Sequence, residues 1–138
     1  MREKSFKKNL GFTIIELMVV IGIIFVLSSI SLVSYIKYRE KTKVNSYALP
    51  VARACAIDII AYCIQTKNGT IDTSNLTNCR DKDTPAGKVV FNSTLTGQCS
   101  NSTPPNGTLA STKLEGIDSY KAVCDYSSNA LQCSIVSQ

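Results

Sequence analysis

The chain has 138 residues, 15 Lys+Arg against 10 Asp+Glu, six Cys, and neither His nor Trp, which rules out Ser-His-Asp and Cys-His catalysis and every His-ligated metal site. The length allows one small domain plus one anchor. Four of the bases and one acid fall in residues 1–11, leaving 11 against 9 elsewhere, too even a balance to predict a general nucleic-acid or acidic-substrate surface.

The first element follows from "KKNLGFTIIELMVVIGIIFVL". Residues 12–36 carry Glu16 as their only charge, and a helix of that length, at about 1.5 Å per residue, crosses a hydrocarbon core of about 30 Å. A cleaved secretory signal is the competing reading, with "SSIS" at 28–31 supplying small residues for a peptidase. The run is too long for one, and an intramembrane carboxylate marks function rather than export. Charge bias does not orient the segment, because Arg2, Lys4, Lys7 and Lys8 before it are matched by Lys37, Arg39, Lys41 and Lys43 after it. The cysteines do. All six lie beyond the apolar run in a Ser/Thr/Asn-rich head, so three disulfides formed in an oxidising compartment are expected, with the N-terminus cytoplasmic and the head periplasmic.

Glu16 itself has two ordinary explanations, a carboxylate favoured by the helix macrodipole and a side chain snorkelling to the membrane edge. Neither accounts for a basic leader that ends in Gly. "GFTIIELMVVIGIIFVL" resembles the class III signal of type IV pilins and of their relatives, the type II secretion pseudopilins. The resemblance implies that a prepilin peptidase cuts between Gly11 and Phe12 and methylates the new amine of Phe12. It also implies that Glu16 pairs with the Phe12 amine of a neighbouring subunit during assembly. An ammonium beside a carboxylate offsets much of the cost of either charge in hydrocarbon, and a lone buried pair can fix the register of otherwise uniform apolar helices.

The implied fold class is α+β, the type IV pilin fold: a long N-terminal helix, its outer half transmembrane or in a filament core, packed against a small antiparallel sheet. The expected organisation is a cleaved leader at 1–11, a hydrophobic anchor and filament-core helix at 12–36, and a periplasmic or extracellular head at 37–138. Pilins often carry a helix-bending Pro near the outer end of the apolar segment; "SISLVSYIKY" has none, and Gly22, Ser28 and Ser29 are the remaining weak points.

Beyond the basic stretch, Val44, Ala48, Val51, Cys55, Ile59 and Tyr62 recur at steps of three and four, which extends the helix to about Thr66 with Gly69 as its stop. Ile57, Ile60 and Ile64 widen the apolar surface, either as a broad core face or as a face covered by a neighbouring subunit. Pro50 should kink the helix. Residues 69–87 read as a polar connection, followed by strands at "KVVFN", around "STLTGQ", at "TLASTKL" and in a final pair, with "NSTPPNG" as a turn or exposed loop. A tight turn at Ser128 and Asn129 pairs Tyr126 with Leu131 and Cys124 with Cys133, at a non-hydrogen-bonded position that a disulfide can bridge. Pilins commonly close a C-terminal loop in this way.

Cys55 and Cys63 sit about 12 Å apart along one helix and cannot bond to each other. Closing the shorter loop first gives Cys63–Cys79 with Cys55–Cys99; the swapped pairing is the alternative. A Cys metal site lacks any Cys-x2-Cys pair, and no cofactor is called for. Sequons at Asn68, Asn75, Asn92, Asn101 and Asn106 invite a glycosylation reading, but an Asn/Ser/Thr-rich head yields several by chance, and O-linked sugar on Ser or Thr is the alternative for a surface-exposed filament.

The function expected is a structural subunit, not an enzyme, that polymerises into a type IV pilus for adhesion, twitching motility or DNA uptake. Its partners would be further copies in a helical filament, the prepilin peptidase, an assembly platform with its ATPase, and the membrane before assembly. The alternatives are a minor pilin binding DNA or a surface, with Lys82, Lys88, Lys113 and Lys121 as a basic patch, and a type II secretion pseudopilin.

Overall fold

The computed structural model describes residues 11–92 and 95–138. Of the expectations above, residues 1–10 of the leader expected at 1–11 and the start of "STLTGQ" lie outside the described residues. Two compact units meet between Ile36 and Lys37. In the first, helix α1 (Ile14–Lys43) begins; it buries none of its residues, and up to Ile36 it is apolar on every side. A helix apolar all round has no core stripe to bury, which is the pattern of a segment built for lipid or for a bundle of like helices. No break occurs at Gly22 or the serines. Ser28, Ser29 and Ser31 each turn the hydroxyl back onto a carbonyl of the preceding turn, those of Ile24, Val26 and Leu27. The polar groups in this stretch are therefore satisfied within the helix, as an apolar surrounding demands.

In the second unit the helix runs on through a wider π-helical turn, Val44–Ala48, into α2 (Leu49–Thr66). The turn is where the effect of Pro50 is absorbed. Pro50 offers no N–H and its ring crowds the carbonyl four residues back; one looser turn, closed by the Leu49 N–H on the Val44 carbonyl, accommodates both without ending the helix. Val44, Ala48, Ala52, Cys55, Ala56, Ile59 and Cys63 form the buried stripe. Ala52 and Ala56 take the inward positions, leaving Val51 half-buried, because small side chains let the helix approach the sheet closely. The helix ends earlier than Gly69: Lys67 takes φ 56°, and Asn68 N–H bonds the Thr66 carbonyl across it in a γ-turn. Gly69 serves a different need, since a Cβ there would come within 2.6 Å of Thr66 Cγ2.

The head contains two antiparallel sheets. Strand β1 (Thr70–Asp72) pairs with β4 (Thr96–Gln98), and the larger sheet has the order β2-β3-β5-β6-β7, with β2 at Lys82–Thr84, β3 at Gly87–Phe91, β5 at Gly107–Leu114, β6 at Tyr120–Ser127 and β7 at Ala130–Ser137. The connection expected to be irregular thus contributes two three-residue strands, and two short 3-10 turns, Thr73–Asn75 and Thr77–Cys79, lie between them. Ser128 and Asn129 both have positive φ and form the two-residue hairpin loop that sets Tyr126 opposite Leu131 and Cys124 opposite Cys133. Val89, Leu114, Ala110, Ala122 and Cys124 are buried and form one core with the helix stripe, and Thr112 is buried as well.

Three disulfides hold the head: Cys55–Cys79, Cys63–Cys99 and Cys124–Cys133. The pairing Cys63–Cys79 with Cys55–Cys99 is therefore corrected to its swap. The shortest-loop argument fails because the chain leaving α2 folds back along the helix. Asn78 donates from both its backbone and its side-chain nitrogen to Asp58 Oδ2, pinning the second 3-10 turn beside the middle of α2, and this brings Cys79 over Cys55. β4 is held near the end of α2 by its pairing with β1 and by the Cys99 N–H on the Gly69 carbonyl, so Cys99 meets Cys63.

Candidate functional site

The residue types singled out at the N-terminus are Gly11, Phe12 and Glu16. Gly11 and Phe12 lie in non-helical chain just before the first turn of α1, both exposed, and a Cβ on Gly11 would meet nothing within 4 Å. Thr13 is the residue immediately before the helix and Glu16 its third helical residue, which makes Thr-Ile-Ile-Glu a capping box. Thr13 Oγ1 accepts from the Glu16 N–H at 3.3 Å, and Glu16 Oε2 accepts from the Thr13 N–H at 3.0 Å and from the Thr13 hydroxyl at 2.9 Å.

The geometry gives Glu16 a local role that the sequence reading missed, although the T-x-x-E signature was there to find. A helix entering an apolar phase leaves its first N–H groups without intrahelical partners. The Thr13–Glu16 pair satisfies two of those donors and fixes the carboxylate at the mouth of the helix. Both Thr13 contacts converge on Oε2. Among the described residues, none donates to Oε1, so one oxygen is committed to the cap and the other is open to a cation from outside.

The head offers less chemistry. Of the four lysines considered for a basic patch, Lys88 lies 3.4 Å from Asp81 and Lys113 lies 3.5 Å from Asp118. The positive charge of those two is locally offset, which leaves only Lys82 and Lys121 of the set. All six cysteines are consumed in disulfides, and among the described residues no group of three or more His, Cys, Asp or Glu is placed to hold a metal. On the outer side of α2, Ile57 and Ile64 are more than half exposed. They are seven residues apart and share one helical face. Of the three isoleucines read as widening the apolar surface, Ile60 is half-buried and packs against the core, whereas the sheet does not cover Ile57 and Ile64, so the broad core face reaches only Ile60.

Residues 6–32 match the family model of the prokaryotic N-terminal methylation motif, the class III signal peptide of type IV pilins. No curated protein and no solved structure matches the chain. The motif indicates a structural subunit and supports a likeness to type IV pilins and pseudopilins, and the long apolar helix with its α+β head fits the pilin fold. They imply processing by a prepilin peptidase, assembly into filaments and membrane insertion before assembly.

Proposed function

We propose that this chain is the structural subunit of a type IV pilus. The prepilin peptidase cuts between Gly11 and Phe12 and methylates the amine of Phe12, and Glu16 then pairs through its open oxygen with the Phe12 amine of a neighbouring subunit. The observation that carries the reading is a methylation motif that, from Ile14 on, lies on a helix with no buried residue. Before assembly, lipid covers that helix, with residues 1–11 cytoplasmic and residues 37–138 periplasmic. In the fibre, helices of other copies cover it. The transfer gains little from hydrophobicity, because lipid is already apolar, so packing and the charge pair set the axial position. The exposed Ile57 and Ile64 suit a second contact with a neighbouring head. Partners in this scheme are further copies, the peptidase, and an assembly platform with its ATPase.

The experiment is intact mass, with and without reduction, of protein sheared from the native cell surface. A dominant species beginning at methylated Phe12 and gaining six hydrogens on reduction supports the pilus subunit. Processed chain confined to the membrane fraction points to a pseudopilin or minor pilin instead, and a chain retaining Met1 there removes the role given to Glu16.

A further inference from the structure

The charge of this chain is concentrated at one level. Residues 37–43 hold Lys37, Arg39, Lys41 and Lys43 against Glu40, a net of +3, whereas residues 44–138 hold seven bases and seven acids and are neutral. Cleavage at Gly11 would remove the basic leader and leave a Phe12 amine to offset Glu16. A processed subunit thus carries its whole net charge in the seven residues after the apolar run. Bases on the outer flank of a span oppose the bias that keeps Lys and Arg on the cytoplasmic side, so they do not serve insertion. Among the described residues the ion pairs are Lys88–Asp81 and Lys113–Asp118, and neither draws on this stretch.

The local structure arranges these bases. They lie on the last part of α1, and Tyr35 and Tyr38 stand exposed around its start. Lys41 is five residues past Ile36, about 7 Å along the axis, which is the depth of a headgroup layer. Amphipathic rings at that level are typical of a membrane–water boundary. Lys37 and Lys41, four residues apart, share one helical face. Beside Lys41, Tyr38, Thr42 and Asn45 from the helix and Ile135 from β7 line a groove of about 380 Å³, with no carboxylate in its lining. The Thr42 hydroxyl is turned onto the Tyr38 carbonyl at 2.9 Å. That leaves the Asn45 amide, the Tyr38 hydroxyl and the Lys41 ammonium as donors to a ligand.

We propose that this neck binds the headgroup of an anionic phospholipid, with Lys37 and Lys41 facing the phosphate, Asn45 and Tyr38 donating to its oxygens, and Ile135 closing the apolar side of the groove. The proposal rests on the reading that the helix is held in lipid before assembly. Charge complementarity favours lipid over the other occupants. A second copy offers no concentrated acidity, because the acids of its head are matched by its own bases. A nucleic acid would need the surplus charge on the head, where there is none. Anionic headgroups attract a basic segment only within about a Debye length of the membrane surface, and residues 37–43 are the ones placed there.

Fluorescence quenching by brominated lipids tests it. The chain has no Trp, so Tyr35→Trp places a single fluorophore at the outer end of the apolar run. The processed full chain is reconstituted in vesicles that mix phosphatidylcholine and phosphatidylglycerol, with one or the other brominated on its acyl chains, and the two quenching curves give the relative affinity. Phosphatidylglycerol should be preferred several-fold. Lys37→Gln with Lys41→Gln should remove most of that preference, Asn45→Ala should lower it without changing the charge, and Lys82→Gln with Lys121→Gln on the head should leave it intact. Equal quenching by the two lipids would overturn the site while leaving the helix in lipid, and quenching by neither would remove the membrane reading along with it. A preference that survives Lys37→Gln with Lys41→Gln or is untouched by Asn45→Ala, or an equal loss with the head substitutions, would also overturn it. Displacement by soluble glycerol phosphate would give the groove to a free phosphate ester and overturn the lipid assignment.

Discussion

Thr112 Oγ1 donates to the Ala48 carbonyl at 3.0 Å, and both residues are fully buried. The bond ties the middle of β5 to the last residue of the π-helical turn, where Pro50 loosens the helix. Replacing the hydroxyl by a methyl, Thr112→Val, keeps the volume and the β-propensity and removes only this bond. It should cost about 1 kcal/mol, read as a lower urea midpoint with an unchanged m-value. A change in m-value would mean that the turn itself had melted.

Glu16 has a capping role in the structure and a charge-pairing role in the proposal, and one substitution separates them. Gln is accepted at the third position of a capping box, so Glu16→Gln keeps the cap and removes the charge. The expected result is a processed, membrane-held subunit and no surface fibres. Thr13→Ala does the reverse: it keeps the charge, loosens the cap at a cost of about 1 kcal/mol, and should still assemble. Fibres in normal yield from Glu16→Gln would show that capping is the whole role of the carboxylate.

The parts of this molecule that are legible in its sequence are those set by neighbours along the chain. The apolar run fixes the exposed helix, Ser128 and Asn129 fix the hairpin register, and the motif around Gly11 is contiguous. What escaped depends on distant contacts. β1 and β2 are three-residue strands with polar sequences, and they exist because β4 and β3 lie beside them. Cys55 and Cys63 both face the core, so the spacing alone cannot say which one the returning chain meets first. That is decided by Asn78 docking on Asp58. Lys67 ends the helix with positive φ although Gly69 was available two residues later, because Gly69 is needed for its close approach to Thr66. The Thr13–Glu16 capping box is the exception, a local signal that was present and was masked by the more conspicuous carboxylate.

Asp72 caps the first 3-10 turn. The Ser74 hydroxyl and then the Ser74 N–H, both donating to the carboxylate, hold its carboxyl below the usual aspartate value. Asn75 Nδ2 adds a third donor at 2.9 Å. A carboxyl whose folded value is lowered stabilises the fold fully above its unfolded value, and that contribution disappears as the pH falls through the folded one. Asp72→Ala should therefore melt below the parent at neutral pH, and the gap in Tm should close below about pH 4 as the unfolded-state carboxyl takes up its proton. A gap that persists unchanged to pH 2 would show that the cap acts through shape rather than charge.

The three disulfides close loops of unequal length, 9 residues for Cys124–Cys133, 24 for Cys55–Cys79 and 36 for Cys63–Cys99. Chain-entropy bookkeeping gives the shortest about 2.5 kcal/mol and the longest about 4 kcal/mol. The difference is smaller than the difference in what they join. Cys124–Cys133 staples two strands already fixed by a tight turn and a continuous ladder, whereas Cys63–Cys99 ties the end of α2 to β4, whose partner strand β1 is only three residues long. Paired Cys→Ser substitutions should therefore rank in the order Cys63/Cys99, Cys55/Cys79, Cys124/Cys133 from most to least damaging. Protease resistance of the head and peptide mapping of the remaining bridges would measure the ranking. A head that unfolds first on loss of Cys124–Cys133 would reverse it and place the weak point in the C-terminal hairpin.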